Sequence, residues 1–288
     1  MEELIGVVCN DAGGANLVAR ICKQEKKTYE YFLTGPAIKI FQELLGIKSE
    51  VKIEQFMENC TQFLCGTSGL ANTEREVIQK AKLMGKKTTA VLDHWINYEA
   101  RFKVNEELIL PDEIWVVDEF AFEMAKKLFH GTQVQQIENL YVSEFVENYK
   151  KFSRDSRVST LNRVLYLSEG FDEFNSNSLQ GRSIDLEYFE TFLEVKDFQF
   201  IHKPQVFLRL HPSEAEAKFC HYQKLFSNLI LADATTPLFK QFAGVDAVIG
   251  VSSMGLVLSA ACGIRTISLL KGESESKIPI KGIEYLGV

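Results

Sequence analysis

Short apolar runs recur along the chain, each stopping at a small or polar residue, with amphipathic stretches between them. In the first half the runs predict strands over 4–9, 29–33, 63–65, 88–92, 113–117 and 134–137, with helices over 15–24, 37–45, 73–84 and 120–129. The segment 142–163 is charged and polar and reads as a short helix followed by a linker. The pattern then restarts, with strands over 164–167, 205–210, 229–231, 247–251 and 266–270 and helices over 186–195, 215–226, 238–243 and 255–262. Strands that are apolar almost throughout and alternate with helices make parallel sheets covered on both faces. The expected fold class is α/β: two Rossmann-like, doubly wound parallel-sheet domains, an N-terminal one over 1–150 and a C-terminal one over 151–288, facing across a cleft.

Size and charge narrow the partners. A chain of 288 residues is long enough for two domains of ordinary size. The 39 acidic against 32 basic residues give a net charge of −7, which argues against a nucleic-acid binder, because phosphate backbones need a basic surface. The six cysteines form no Cys-x-x-Cys pair and read as reduced core thiols of a cytoplasmic protein. The five histidines lack metal-ligand spacing, and no Asp-x-Asp stands at a strand end, so no metal site is expected. Met1-Glu2-Glu3 leads straight into an apolar strand without a basic region, so no signal peptide is expected. The uncharged stretch 247–264 has about the minimum length of a membrane span, but its glycines and serines break it into strand, turn and helix.

Chemistry gathers where the apolar runs stop, and in open α/β sheets that edge is where ligands bind. After the first run comes Asn10-Asp11-Ala12-Gly13-Gly14-Ala15-Asn16. Gly13 and Gly14 would let main chain approach a ligand at a helix start, where anions are favoured. Asp11 is either a cap for that helix or a functional acid. The run is not a Gly-x-Gly-x-x-Gly fingerprint and no suitable acid follows the second strand, which argues against NAD. Asp93-His94-Trp95, with Asn97, Tyr98 and Arg101 behind it, crowds polar and aromatic groups at another strand end. It reads as a substrate wall in which His94 acts as acid or base, or as a buried structural cluster.

Three more pieces lie in the second half. Arg209-Leu210-His211-Pro212 offers a planar fork of donors and an imidazole, with Pro212 fixing the turn. Gly250-Val251-Ser252-Ser253-Met254-Gly255 puts two hydroxyls and main-chain N–H groups at a helix start, an arrangement that holds an anion without a metal. Ser168-Glu169-Gly170 offers Glu169 as a base and Gly170 for a sharp turn.

Together these pieces resemble the GT-B glycosyltransferases, in which two Rossmann-like domains face each other and the second holds most of the donor. Ser168-Glu169-Gly170, His211-Pro212 and Ser252-Ser253 are similar to the acidic-acidic-Gly, His-Pro and Ser-Ser series of bacterial sialyltransferases. Related His-Pro and Ser-Ser elements occur in enzymes that transfer glycerol phosphate from CDP-glycerol to wall polymers. The resemblance implies a nucleotide donor held through Gly170, Arg209, His211, Pro212, Ser252, Ser253 and Gly255. It implies an acceptor side built by Gly13, Gly14, Asn16 and Asp93, and a base drawn from Asp11, His94 or Glu169. Two departures stand out. Ser168 replaces one acid of the pair, and Ser259 stands about where many UDP-sugar enzymes carry a ribose-gripping glutamate, which disfavours a UDP-sugar and favours a cytidine nucleotide.

The implied activity is metal-independent and cofactor-free. A sugar, with sialic acid from CMP-sialic acid among the candidates, moves from a nucleotide donor to a glycan acceptor in surface-polysaccharide synthesis. Two other classes stay open: a nucleotide-sugar epimerase or hydrolase, and a non-catalytic nucleotide-sugar-binding or scaffold protein of polysaccharide assembly. The expected location is cytoplasmic, with room for peripheral membrane contact or an assembly complex.

Overall fold

The computed structural model describes residues 3–48, 51–69, 71–153, 162–170, 184–194, 204–211, 214, 216–272, 276 and 281–287. Its contacts divide the chain into two compact units, Met1–Tyr141 and Val142–Val288.

The first unit is a six-stranded parallel sheet built from β1 (Ile5–Cys9), β2 (Tyr29–Leu33), β3 (Gln62–Cys65), β4 (Lys87–Leu92), β7 (Glu113–Val116) and β8 (Gln133–Gln136), in the order β2-β1-β3-β4-β7-β8. Between them run α1 (Ala12–Glu25), α2 (Ala37–Leu45), α3 (Ile53–Asn59), α4 (Thr73–Leu83) and α5 (Glu119–Leu128), and α6 (Leu140–Phe152) follows. All of β1 is buried, as its unbroken apolar run requires of a strand covered on both faces. One core joins Val7 and Cys9 of β1 to Leu17, Val18 and Ile21 of α1 and Phe41 of α2. Two pieces of this unit carry weak sequence signals. The helix α3 is short, and the antiparallel pair β5 (Lys103–Val104) and β6 (Glu107–Leu108) turns on Asn105 and Glu106, whose φ values are 49° and 65°. A two-residue hairpin loop of type I′ asks for that left-handed backbone at both positions, and glutamate does not advertise it.

The second unit repeats the architecture with β9 (Arg163–Leu167), β10 (Gln205–Arg209), β11 (Leu229–Leu231), β12 (Ala247–Gly250), β13 (Arg265–Ser268) and β14 (Ile283–Tyr285), in the order β11-β10-β9-β12-β13-β14. Most of α6 belongs to this unit, together with α7 (Ile184–Glu194), α8 (Cys220–Leu225), α9 (Leu238–Phe242) and α10 (Met254–Ala261). The sequence pattern missed β14, whose Ile283-Glu284-Tyr285 is too short and too polar to register as an apolar run. An edge strand needs only main-chain pairing, here to β13 at Thr266, Ile267 and Ser268. Val164, Tyr166, Phe189, Leu208 and Ile249 anchor the core of this unit.

The order of strands fixes where the loops open. In the first sheet the chain leaves β1 toward β2 on one side and returns to β3 on the other. In the second it leaves β9 toward β10 and returns to β12. Neighbouring connections diverge at those two points and leave a crevice beyond the carboxyl ends of the strands.

Packing under the first sheet is tight enough to test. A Cβ on Gly6 of β1 would lie 2.6 Å from the Phe63 ring and 2.8 Å from that of Phe56. Gly6→Ala is expected to cost about 1–3 kcal/mol by overpacking. The check is a lower urea midpoint with an unchanged far-ultraviolet dichroism spectrum.

Candidate functional site

The crevice of the first unit lies between the ends of β1 and β3. Sequence reasoning puts Gly13 and Gly14 in the turn after β1. The helix instead starts at Ala12, so both glycines lie in its first turn. A Cβ on Gly13 would lie 1.9 Å from Asp93 Oδ2, and one on Gly14 would lie 3.1 Å from the Thr67 main-chain nitrogen. The glycine pair thus lets α1 press against the ends of β3 and β4, and the atoms that fill the space are the protein's own.

Asp11 stands at the N-cap of α1 without a side-chain capping bond. Its Oδ2 instead accepts from Gly69 N at 2.8 Å, tying the turn after β1 to the loop after β3. A second carboxylate makes the same connection from below. Glu74, in the first turn of α4 and 2% exposed, accepts at Oε1 from Asn10 N at 2.7 Å and from the Ser68 hydroxyl at 2.8 Å. Its Oε2 is buried without a hydrogen-bond partner. Burial pushes the Glu74 carboxyl up, against the Ser68 hydroxyl and the Asn10 amide, and Asp11 pushes the same way. Sequence reasoning missed Glu74 because a glutamate in the first turn of a helix is ordinary, and only the fold brings that turn under β1.

Asp93 lies at the end of β4. Its Oδ1 accepts from Arg101 Nη1 at 3.1 Å, and Arg101, itself 9% exposed, also donates to the Thr67 carbonyl and hydroxyl, both at 3.0 Å. Burial raises the Asp93 carboxyl even against the neighbouring Arg101 and His94. The His94 Nδ1 accepts from Trp95 N at 2.9 Å, so a neutral ring carries its proton on Nε2. Trp95 Nε1 donates to Asp118, which also caps α5 through Ala121 N. Asn16, expected on the acceptor side, spends its amide on the Ala12 carbonyl and accepts from Arg20.

The crevice of the second unit joins three segments that are far apart in sequence. Glu169, just past β9, accepts at Oε1 from Val251 N at 2.9 Å and Ser252 N at 2.6 Å. Gly170 turns the chain directly afterwards with a φ of 62°, a left-handed conformation that glycine adopts without strain. Ser168 N donates to the Arg209 carbonyl at 2.9 Å. His211, exposed at the end of the same segment, donates its N–H to Glu214 Oε2, and Glu214 N returns a bond to the His211 carbonyl, each at 2.9 Å. Burial alone would raise the Glu214 carboxyl, but Lys218, the Ser168 hydroxyl and the His211 amide together hold it below the ordinary range. Glu214 thereby links the Ser168 and His211 segments. The signal that could have found it is the three-residue spacing from His211, the reach of a capping box.

The other expected donor-side residues divide. The hydroxyls of Ser252 and Ser253 are both buried without a hydrogen-bond partner, at the start of α10. A Cβ on Gly255 would lie 2.4 Å from the Leu167 side chain, so that glycine seats α10 against β9. The Arg209 guanidinium donates to the Thr236 carbonyl at 2.9 Å and Gln241 Oε1 at 2.8 Å, which holds the turn after β11. Ser259 is fully buried, with the Thr266 hydroxyl donating to it at 2.8 Å, so its position faces β13 and carries no information about a donor's base. Pro212 lies outside the described residues. No group of three or more His, Cys, Asp or Glu among the described residues is arranged to hold a metal ion, and no described helix is long and apolar enough to cross a membrane.

No family model and no curated protein matches this chain. Solved structures do. The UDP-GlcNAc 2-epimerase of Methanocaldococcus jannaschii, solved with UDP-GlcNAc and UDP, is 13% identical, with a TM-score of 0.62 over 99% of this chain and 89% of that one. The UDP-GlcNAc 2-epimerase of Neisseria meningitidis, bound to UDP-GlcNAc, is 12% identical, with a TM-score of 0.60 over 99% and 87%. The α/β-galactoside α-2,3-sialyltransferase of Photobacterium phosphoreum is 10% identical, with a TM-score of 0.56 over 99% of each chain. What they share with this chain is the GT-B fold. At such identities the likeness carries the fold and nothing finer.

The raised Glu74 carboxyl has a sign that can be checked. The native state holds its proton to higher pH than the unfolded chain does, so stability falls as pH rises above the ordinary carboxylate range through the native value. Glu74→Gln keeps an acceptor for Asn10 and Ser68 but has no proton to lose. Its melting temperature minus that of wild type is expected to grow with pH across that window. A difference that stays flat in a melting series from acid to neutral pH would contradict it.

Proposed function

We propose that the chain is a metal-independent glycosyltransferase that moves a sugar from a nucleotide donor to a glycan acceptor in surface-polysaccharide assembly. The observation that carries the reading is the meeting of the Ser168-Glu169-Gly170, His211 and Ser252-Ser253 segments at one crevice of the second unit, where two buried hydroxyls lack partners. A buried hydroxyl without a partner costs free energy, and a ligand phosphate removes that cost. The first turn of α10 adds N–H groups that no carbonyl within the helix can accept, together with the positive end of its dipole. His211, exposed at the neighbouring strand end, adds a donor. In this reading Ser252, Ser253, Gly255 and His211 bind the departing phosphate, while Gly170 turns the chain after Glu169 and the Arg209 guanidinium holds the turn after β11.

An epimerase is the second reading, because two of the solved relatives in fold are UDP-GlcNAc 2-epimerases. It needs a nucleotide sugar and no acceptor, so NMR of a donor incubated alone separates it from transfer. Both cytidine and uridine donors belong in that experiment, since the burial of Ser259 removes the argument between them.

His211→Ala is expected to lower turnover by about 100-fold, the scale on which one donor to a developing anion acts, with no change in melting temperature. Wild-type turnover in that variant would refute the assignment. In a thermal-shift screen, CMP, CDP or UDP well above its dissociation constant is expected to raise the melting temperature, and Ser252→Ala with Ser253→Ala is expected to abolish the shift.

A further inference from the structure

We infer that Glu169 is a positioning residue, a clamp on the main chain of the Ser252-Ser253 turn, and not the base of the reaction. The inference rests on the reading of that turn as a nucleotide phosphate site.

The geometry is specific. Tyr166 and Ile249 are register partners in β9 and β12, so Glu169 leaves the sheet beside the loop that follows Gly250. Its Oε1 receives two main-chain N–H groups, from Val251 and Ser252, across the crevice. Hydrogen bonds to a carboxylate are stronger than neutral ones. Gly250 lies directly against this arm: a Cβ there would lie 3.4 Å from the same oxygen and 3.3 Å from the Leu167 carbonyl. Swinging Glu169 away to an acceptor hydroxyl would take the partner from both amides at once, and such losses are costly.

The clamp stops short of the helix. It takes the amides of Val251 and Ser252, whereas α10 begins at Met254. The amides of Met254 and Gly255 lie in the first turn, where no helical carbonyl reaches them, and are not spent on Glu169. The carboxylate therefore shapes the turn and leaves the anion-binding end of α10 to a ligand.

The test uses the full chain with CMP, CDP and UDP as calorimetric probes. Glu169→Gln retains an acceptor oxygen for both amides and is expected to bind within about threefold of wild type. Glu169→Ala is expected to bind about tenfold or more weakly, the scale of losing a hydrogen bond to a charged group. If Glu169→Ala melts far below wild type, Glu169→Asp replaces it, because the shorter arm withdraws the oxygen but keeps the charge. Wild-type affinity in the alanine variant would overturn the clamp, since removing a base leaves nucleotide binding intact. Tighter binding in both the glutamine and alanine variants would also overturn it, by showing that the carboxylate blocks the site. If wild type binds none of the three nucleotides, the phosphate reading fails. The clamp is then judged by hydrogen exchange at Val251 and Ser252: faster in the alanine variant and unchanged in the glutamine variant supports it, and no change in either refutes it.

Discussion

Main-chain N–H groups beyond the ends of buried strands must find an acceptor, because the ladder that satisfied their neighbours has stopped. In this protein a carboxylate answers that need at both crevices. Asp11 reaches from the end of β1 to Gly69 beyond β3, and Glu169 from the end of β9 to Val251 and Ser252 beyond β12. Each bridges the two strands between which the connections diverge. Glu74 and Glu214 repeat the device one layer back, holding Asn10 with Ser68 and His211 with Ser168. These four acids tie together the segments that lie at the ends of the strands.

That dependence reassigns several residues that look chemical in sequence. Asp93 is paired to Arg101 and pressed against Gly13, and the Arg209 guanidinium is spent on the turn after β11. Charged side chains at strand ends are commonly expected to face a ligand, yet these are engaged by other groups of the protein. The proposed reading instead gives the ligand to modest residues, the hydroxyls of Ser252 and Ser253 and the exposed His211.

The central strands were legible because they bury both faces and so are apolar almost throughout, as in β1 and β12. β14 and the β5–β6 hairpin escaped because edge and hairpin pairing rests on main-chain bonds and turn geometry, which Ile283-Glu284-Tyr285 and Asn105-Glu106 do not signal. The start of α1 was misplaced for a related reason. Gly13 and Gly14 read as loop, but they are helical where a Cβ would collide with Asp93 or crowd Thr67.

From sequence alone came the two α/β units and the strand ends at which polar residues cluster, since periodicity and burial are local properties of a chain in water. The partners of those polar residues belonged to the tertiary structure. Glu169 and Ser252 stand 83 positions apart and Asn10 and Glu74 stand 64 apart, and only the strand order makes them neighbours. A hydrogen bond reaches about 3 Å, so which carboxylate clamps, which cation is consumed and which hydroxyl is left without a partner could be decided only after the sheets had formed.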